Sequence, residues 1–153
     1  MSEPSISIKI ATQLAIFMTN RPGSLAAACR ALADAGVGID ALATEGDVFG
    51  SQGGEILVRM VVSEPSKAAS VLAEEGAVAV KTDVLLIEGA GRPGMLGTIA
   101  DRLATADVNI ESVYLSASDD NCTVILRPSD VNKAQRILKE ALSDTIFDSD
   151  PAD

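Results

Sequence analysis

The chain repeats itself, and the repeat limits its fold more than any other feature does. Asn20-Arg21-Pro22-Gly23-Ser24-Leu25 returns as Gly91-Arg92-Pro93-Gly94-Met95-Leu96, an offset of 71 residues that holds without a gap from Arg21 to Thr44. Ser63-Glu64-Pro65-Ser66-Lys67-Ala68 then returns as Ser129-Asp130-Val131-Asn132-Lys133-Ala134 at an offset of 66. The first copy is therefore five residues longer in its middle, across Gly46 to Gly54, where the second has only Ser118-Asp119-Asp120-Asn121. Both stretches are read as turns, because Gly, Asp, Asn and Ser punctuate them.

Each copy follows one grammar. A short apolar strand comes first, Gln13 to Met18 or Val84 to Glu88, and the alternating Ile6, Ile8 and Ile10 suggest an added edge strand. A Pro-Gly turn then opens a helix whose apolar residues recur at i, i+3, i+4 and i+7: Leu25, Ala28, Cys29, Leu32 and Leu96, Ile99, Ala100, Leu103. Gly36 or Asp107 ends it, and a strand follows at Val37 to Thr44 or Val108 to Ser116. The chain turns back as Ile56 to Val62 or Cys122 to Arg127. Ser63 and Ser129 stand where helix N-caps belong, before helices carrying Ala68, Val71, Leu72 and Ala134, Ile137, Leu138, Ala141. Val78 to Lys81 and Thr145 to Phe147 close the two copies.

Strand-helix-strand-strand-helix-strand in about 70 residues is the ferredoxin-like βαββαβ unit, a four-stranded antiparallel sheet with two helices on one face. The expected fold class is therefore α+β, with two such domains, residues 1–82 and 83–147, joined side by side without a linker and followed by a disordered tail, 148–153.

Composition narrows the function. Among 153 residues, Lys and Arg number 12 and Asp and Glu 22, so the net charge is −10 and a nucleic-acid backbone is repelled. No apolar run is long enough to span a membrane, and Met1-Ser2-Glu3-Pro4-Ser5 begins no export signal, which places the chain in the cytoplasm. The absence of histidine removes Ser-His-Asp and Cys-His nucleophiles and histidine-ligated zinc. Cys29 and Cys122 are too few for a four-thiolate site and read as core residues. No cofactor and no metal are expected.

The helix-opening turns remain. The start of a helix leaves N–H groups unpaired and carries a partial positive charge, so a carboxylate or phosphate settles there, and glycine lets it reach the backbone. The plainer reading is a device for starting a helix, since Pro fixes φ and Gly relaxes the bend.

The segment Asn20-Arg21-Pro22-Gly23-Ser24-Leu25, a helix, and Gly36-Val37-Gly38-Ile39-Asp40 resembles the ACT domain family, whose opening reads N-x-P-G-x-L, helix, G-[VI]-N-I. Asp107-Val108-Asn109-Ile110-Glu111 fits as well, and the resemblance covers roughly residues 12–147, like stand-alone double-ACT proteins. It implies a sensor of small molecules, usually amino acids, in which two domains align sheets edge to edge and hold the ligand between them. The turn of one domain then meets the ligand carboxylate, and the second-strand start of its neighbour closes the site. Carried over, the binding residues are Asn20, Arg21, Gly23, Ser24, Leu25, Asp40 and Ala41, with Gly91, Arg92, Gly94, Met95, Leu96, Glu111 and Ser112. Asp40 or Glu111 would meet the ligand ammonium, unless each is simply an exposed acid at a strand start. Arg21 and Arg92 would steer an anion, unless each is a solvated surface arginine. Gly91 departs from the Asn that the family places at this position, which sets the second turn apart from the first.

Gly89-Ala90-Gly91-Arg92-Pro93-Gly94 also spells the dinucleotide fingerprint G-x-G-x-x-G, with Glu111 about twenty residues on. The antiparallel return of the next strand and the short repeat argue against a doubly wound sheet. Phe49, flanked by glycines in the long first hairpin, suits a lid, a subunit contact or simple packing on the sheet. The reading that results is a non-enzymatic protein that binds an amino acid or similar small carboxylate and regulates by shifting conformational populations. The alternative is an accessory subunit docking on an amino-acid biosynthetic enzyme such as an acetolactate synthase-like enzyme. An enzymatic reading, through carboxylates or cysteine alone, has no constellation to carry it. Two exposed sheet edges would favour a homodimer.

Overall fold

A computed structural model describes residues 6–46 and 54–143. Its elements run β1 (Ser7–Thr19), α1 (Ser24–Asp34), β2 (Ile39–Glu45), β3 (Glu55–Val62), α2 (Pro65–Glu74), β4 (Ala79–Gly89), α3 (Met95–Thr105), β5 (Ile110–Ala117), β6 (Cys122–Pro128) and α4 (Val131–Ser143). The expected strand Thr145 to Phe147, the tail 148–153 and Phe49 lie outside the described residues. Two compact units result: the first is Thr12–Thr82, and the second joins residues 83 onward to the opening residues up to Ala11.

The first unit orders its strands β2-β3-β1, all antiparallel, with Ile16 opposite Val58 and Leu42 opposite Met60. Its core is Leu14 and Ile16 of β1, Val58, Met60 and Val62 of β3, Ala28 and Leu32 of α1, and Ala68 and Leu72 of α2. The second unit repeats this with β4-β6-β5, Ile87 opposite Val124 and Val113 opposite Leu126. Met95, Ile99 and Leu103 of α3 and Ala134 and Leu138 of α4 fill its core against Leu85, Ile87, Val124 and Leu126. The buried stripe of α3 thus begins at Met95 rather than at Leu96, which is only partly buried.

Three expectations change. Ile6, Ile8 and Ile10 form no separate edge strand: β1 runs unbroken from Ser7, and Ile8 packs with Leu85, Ile87 and Leu138 in the second unit's core, with Ile6 against it. Gln135 Nε2 of α4 also donates to the Ile8 carbonyl at 3.3 Å. Residues 6–11 therefore serve the second unit, not the domain 1–82 to which the repeat assigns them. The expected strands Val78 to Lys81 and Val84 to Glu88 are likewise one strand, β4, because Lys81-Thr82-Asp83 holds no Pro or Gly to break it. Ser63 and Ser129 cap no helix. Glu64 occupies the N-cap of α2 without a side-chain bond, since Pro65 takes the first helical position, and the Asp130 carboxylate accepts the Lys133 N–H at 3.0 Å at the start of α4.

Candidate functional site

Both Pro-Gly turns have the same backbone. Gly23 has φ +93° and Gly94 φ +88°, each in the left-handed region at the N-cap of its helix. Such a φ costs an L side chain roughly 1–2 kcal/mol, which is why glycine stands there. A Cβ added at either would meet nothing within 4 Å, so packing does not demand the glycine. The Ser24 N–H bonds to the Arg21 carbonyl at 3.3 Å and the Met95 N–H to the Arg92 carbonyl at 3.2 Å. The helices proper begin with Ala27 N–H to Gly23 at 2.9 Å and Thr98 N–H to Gly94 at 3.0 Å. Between those bonds, the N–H groups of Leu25 and Ala26, and of Leu96 and Gly97, meet no acceptor among the described residues. Each turn is a small open surface of donors at the positive end of a helix.

In the second unit this surface has a wall. Gly91, Arg92, Pro93, Gly94, Met95 and Leu96 line a hollow of about 450 Å³ together with Leu115 and Ala117 of β5, Ser118, Asp119 and Cys122. The Met95 side chain points into the core, so its part in the hollow is mainly backbone. Gly91 is held close: a Cβ there would lie 3.1 Å from the Cys122 Cβ, so a side chain like that of Asn20 would crowd Cys122. Cys122 is buried, and burial pushes its thiol pKa up. Cys29, on α1, is half-buried rather than in the core.

In the first unit Asn20, Arg21 and Gly23 are exposed, Ser24 and Leu25 half-buried, and the Asn20 N–H donates to the Gly54 carbonyl at 2.7 Å. The residues that the repeat aligns with Ser118 to Asn121 fall within Gly46 to Gly54, of which 47–53 lie outside those described.

The acidic candidates stand elsewhere. Asp40 and Glu111 occupy matching irregularities, where the β2–β3 register shifts between Ile39 and Ala41 and the β5–β6 register between Ile110 and Ser112. Such bulges re-aim a side chain. Glu111 meets Arg127 at 3.3 Å, both partly exposed, while Asp40 is exposed. Ala41 and Ser112 are half-buried beside them. Glu111 and Ser112 begin β5, whereas the hollow takes its end, so within this unit they are not brought together with Gly94. Sequence reasoning missed Leu115, Ala117, Ser118, Asp119 and Cys122. Counting the ladder back from Leu85 opposite Leu126 to Gly89 opposite Cys122 would have put Cys122 beside the turn. Among the described residues no group of three His, Cys, Asp or Glu is placed to hold a metal, and no helix is long and apolar enough to cross a membrane.

The profile of the ACT domain pair matches residues 10–152, nearly the whole chain. This chain belongs to the ACT domain pair family. Protein BT0572 of Bacteroides thetaiotaomicron resembles this ACT domain pair in fold, at 30% identity and a TM-score of 0.79 over 88% of this chain and 90% of that one. The ligand-free regulatory subunit of aspartate kinase from Thermus thermophilus is similar at 19% identity and TM-score 0.66, over 89% of this chain and 95% of that one. The aspartate kinase of Synechocystis matches at 19% identity and TM-score 0.64 over 90% of this chain but 26% of its own. No protein of curated function matches the sequence.

Proposed function

We propose that this ACT domain pair is a non-catalytic regulatory protein that binds an amino acid or similar small carboxylate at its Pro-Gly turns. The observation that carries the reading is the pair of left-handed glycines, Gly23 and Gly94, each at a helix start with open space before it. A carboxylate there accepts from N–H groups that the helix leaves unused and sits at the favourable end of its dipole. At the second turn Arg92 adds positive charge and Asp119 offers a partner for an ammonium, with Leu96, Leu115 and Ala117 beside them. Asn20 offers the first turn a side-chain amide that the second lacks.

The test is thermal unfolding against each of the twenty amino acids in millimolar excess. A ligand at about 100 times its dissociation constant stabilises by roughly 2.7 kcal/mol, a rise of about 5–10 °C for a chain of this size. One clear responder identifies the signal, whereas twenty flat traces remove the amino-acid reading.

A second reading, an accessory subunit docked on an amino-acid biosynthetic enzyme, is favoured by one comparison: a chain of nearly this extent stands as the regulatory subunit of aspartate kinase in Thermus thermophilus. Co-purification with such an enzyme, together with altered feedback inhibition, supports it; a chain that captures no enzyme counts against it.

A further inference from the structure

The two Pro-Gly turns share a backbone but not their neighbours. Leu115 of β5 lies opposite Val124 of β6, and Thr44 of β2 lies opposite Val58 of β3. The offsets of 71 and 66 residues carry one pair onto the other, so Leu115 stands where the first unit has Thr44, just as Gly91 stands where it has Asn20. A hydroxyl and an amide in the first copy are replaced by an isobutyl group and a bare backbone in the second.

Residues directly opposite in an antiparallel pair share a face, and Val124 belongs to the core beneath α3. Leu115 is therefore on the helix side of β5, and it lines the hollow that Gly94 opens at the start of α3. It is nonetheless 42% exposed, so the unit itself covers this apolar wall only in part.

The rest of the lining fixes what would cover it. The charged side chains there are Arg92 and Asp119, one of each sign. A phosphate or a dicarboxylate brings surplus negative charge against Asp119, whereas a zwitterion balances both. With a carboxylate on the N–H groups of Leu96 and Gly97 and an ammonium on Asp119, the surface left for a ligand side chain is Pro93, Leu96, Leu115 and Ala117, all of it aliphatic. The one hydroxyl in the lining, that of Ser118, donates to the Asn121 carbonyl at 3.5 Å. No aromatic ring lines the hollow to stack on another.

Resting on the reading of the turns as amino-acid sites, we propose that the hollow beside Gly94 selects an amino acid with an aliphatic side chain, and that Leu115 is the residue that selects it. Each methylene moved from water onto this wall tightens binding by up to about fourfold, and a hydroxyl in its place loses water without gaining a partner.

Valine and threonine, which share a shape and differ by a methyl against a hydroxyl, are the probes. Each is titrated calorimetrically into the full chain carrying Gly23→Asp, which fills the first turn with its own carboxylate, and into the same chain with Leu115→Thr added. Circular dichroism stays unchanged between the two, because Leu115 is already half exposed and threonine suits a strand. Valine binds about tenfold more tightly than threonine, and Leu115→Thr abolishes or reverses that ratio. Threonine binding as tightly as valine before the exchange overturns the proposal. An affinity that falls by the same factor for both after the exchange also overturns it, making Leu115 a support of the hollow rather than its selector. Heat from neither amino acid overturns it as well, and thermal unfolding of the wild type then tells the two levels apart: a response to any of the twenty amino acids leaves the amino-acid reading standing without this selectivity, whereas twenty flat traces remove both.

Discussion

The Ser63 hydroxyl accepts the N–H of Gly38 at 2.9 Å, and the Ser63 N–H donates to the Gly38 carbonyl at 2.9 Å. The serine thus ties the end of β3 to the residue before β2. Ser129 repeats the clamp on Asn109 at 3.0 and 2.8 Å. The repeat placed a serine at both positions, and the structure gives the reason: it holds two strands in register where each copy carries its bulge.

These serines and the true cap are separable by mutation. Ser129→Ala removes one exposed bond, and the Asn109 N–H then turns to water, so the loss is at most about 0.5–1 kcal/mol. Asp130→Ala removes the cap of α4 and costs about 1 kcal/mol, within a range of 0.5–2. In urea titrations the midpoint of Asp130→Ala falls further than that of Ser129→Ala. The reverse order would make Ser129 the cap after all.

The ends of the helices allow a gain. α1, α2 and α3 each stop with a residue in the left-handed region, Gly36 at φ +75°, Gly76 at +84° and Asp107 at +60°. Asp107 N–H bonds to the Ala104 carbonyl and Val108 N–H to Leu103, the same pair of bonds that Gly36 and Val37 make to Ala33 and Leu32. Aspartate tolerates this φ better than most residues but not as well as glycine. Asp107→Gly raises the free energy of unfolding, read from urea titrations, by up to about 1 kcal/mol. Gly36→Ala lowers it by roughly 1–2 kcal/mol through backbone strain, since no atom lies within 4 Å of its Cβ.

What could be read in advance divides along the range of the signal. The Pro-Gly turns, the helices and the hairpin at Ser118 to Asn121 are written locally, in residues that fix φ or alternate with a period, and they stand where they were placed. Residues 6–11 failed because alternation at Ile6, Ile8 and Ile10 announces a strand but not the sheet that receives it. The hollow was half legible: Gly91 to Leu96 form one turn, whereas Leu115, Ala117 and Cys122 reach it only through strand pairing.

The borrowed strand can be tested with the chain's single tyrosine, Tyr114, which lies on β5 of the second unit and reports that unit's unfolding by fluorescence. Ile8 is 6% exposed in that unit's core, so Ile8→Ala costs about 2–5 kcal/mol and moves the tyrosine transition. Gly89→Ala acts in the same place, because its Cβ would lie 2.8 Å from Ile6 Cγ1. A tyrosine transition indifferent to Ile8→Ala would remove residues 6–11 from the second unit.

Cys122 makes stability depend on alkaline pH. Burial raises its thiol pKa above the ordinary value of 9.0. The unfolded chain therefore releases this proton first as pH rises, so the contribution of the buried thiol is full below pH 9 and is lost above it. The stability difference between wild type and Cys122→Ala, from urea titrations, narrows between pH 7 and pH 10, other ionisations being common to both chains. A constant difference would mean that the thiol ionises alike in both states.

At the turns, strain and ligand binding must be told apart, because any side chain at Gly23 or Gly94 enters the left-handed region. Gly23→Ala bears that strain in full, roughly 1–2 kcal/mol, and Gly23→Asp bears less of it, because aspartate tolerates the region better; a Cβ at this position meets no atom within 4 Å. They differ in charge. An aspartate puts a carboxylate where the ligand's own would accept from Leu25 and Ala26, and it satisfies those donors itself. Without ligand, Gly23→Asp then unfolds at a higher temperature than Gly23→Ala, because it caps the helix and bears the left-handed φ more easily. With the amino acid that stabilises the wild type, Gly23→Ala keeps part of the thermal shift and Gly23→Asp loses it. The pair Gly94→Ala and Gly94→Asp asks the same of the second turn. A full shift in both Asp variants would place the ligand away from the turns, while loss in one alone would show which of the two the protein uses.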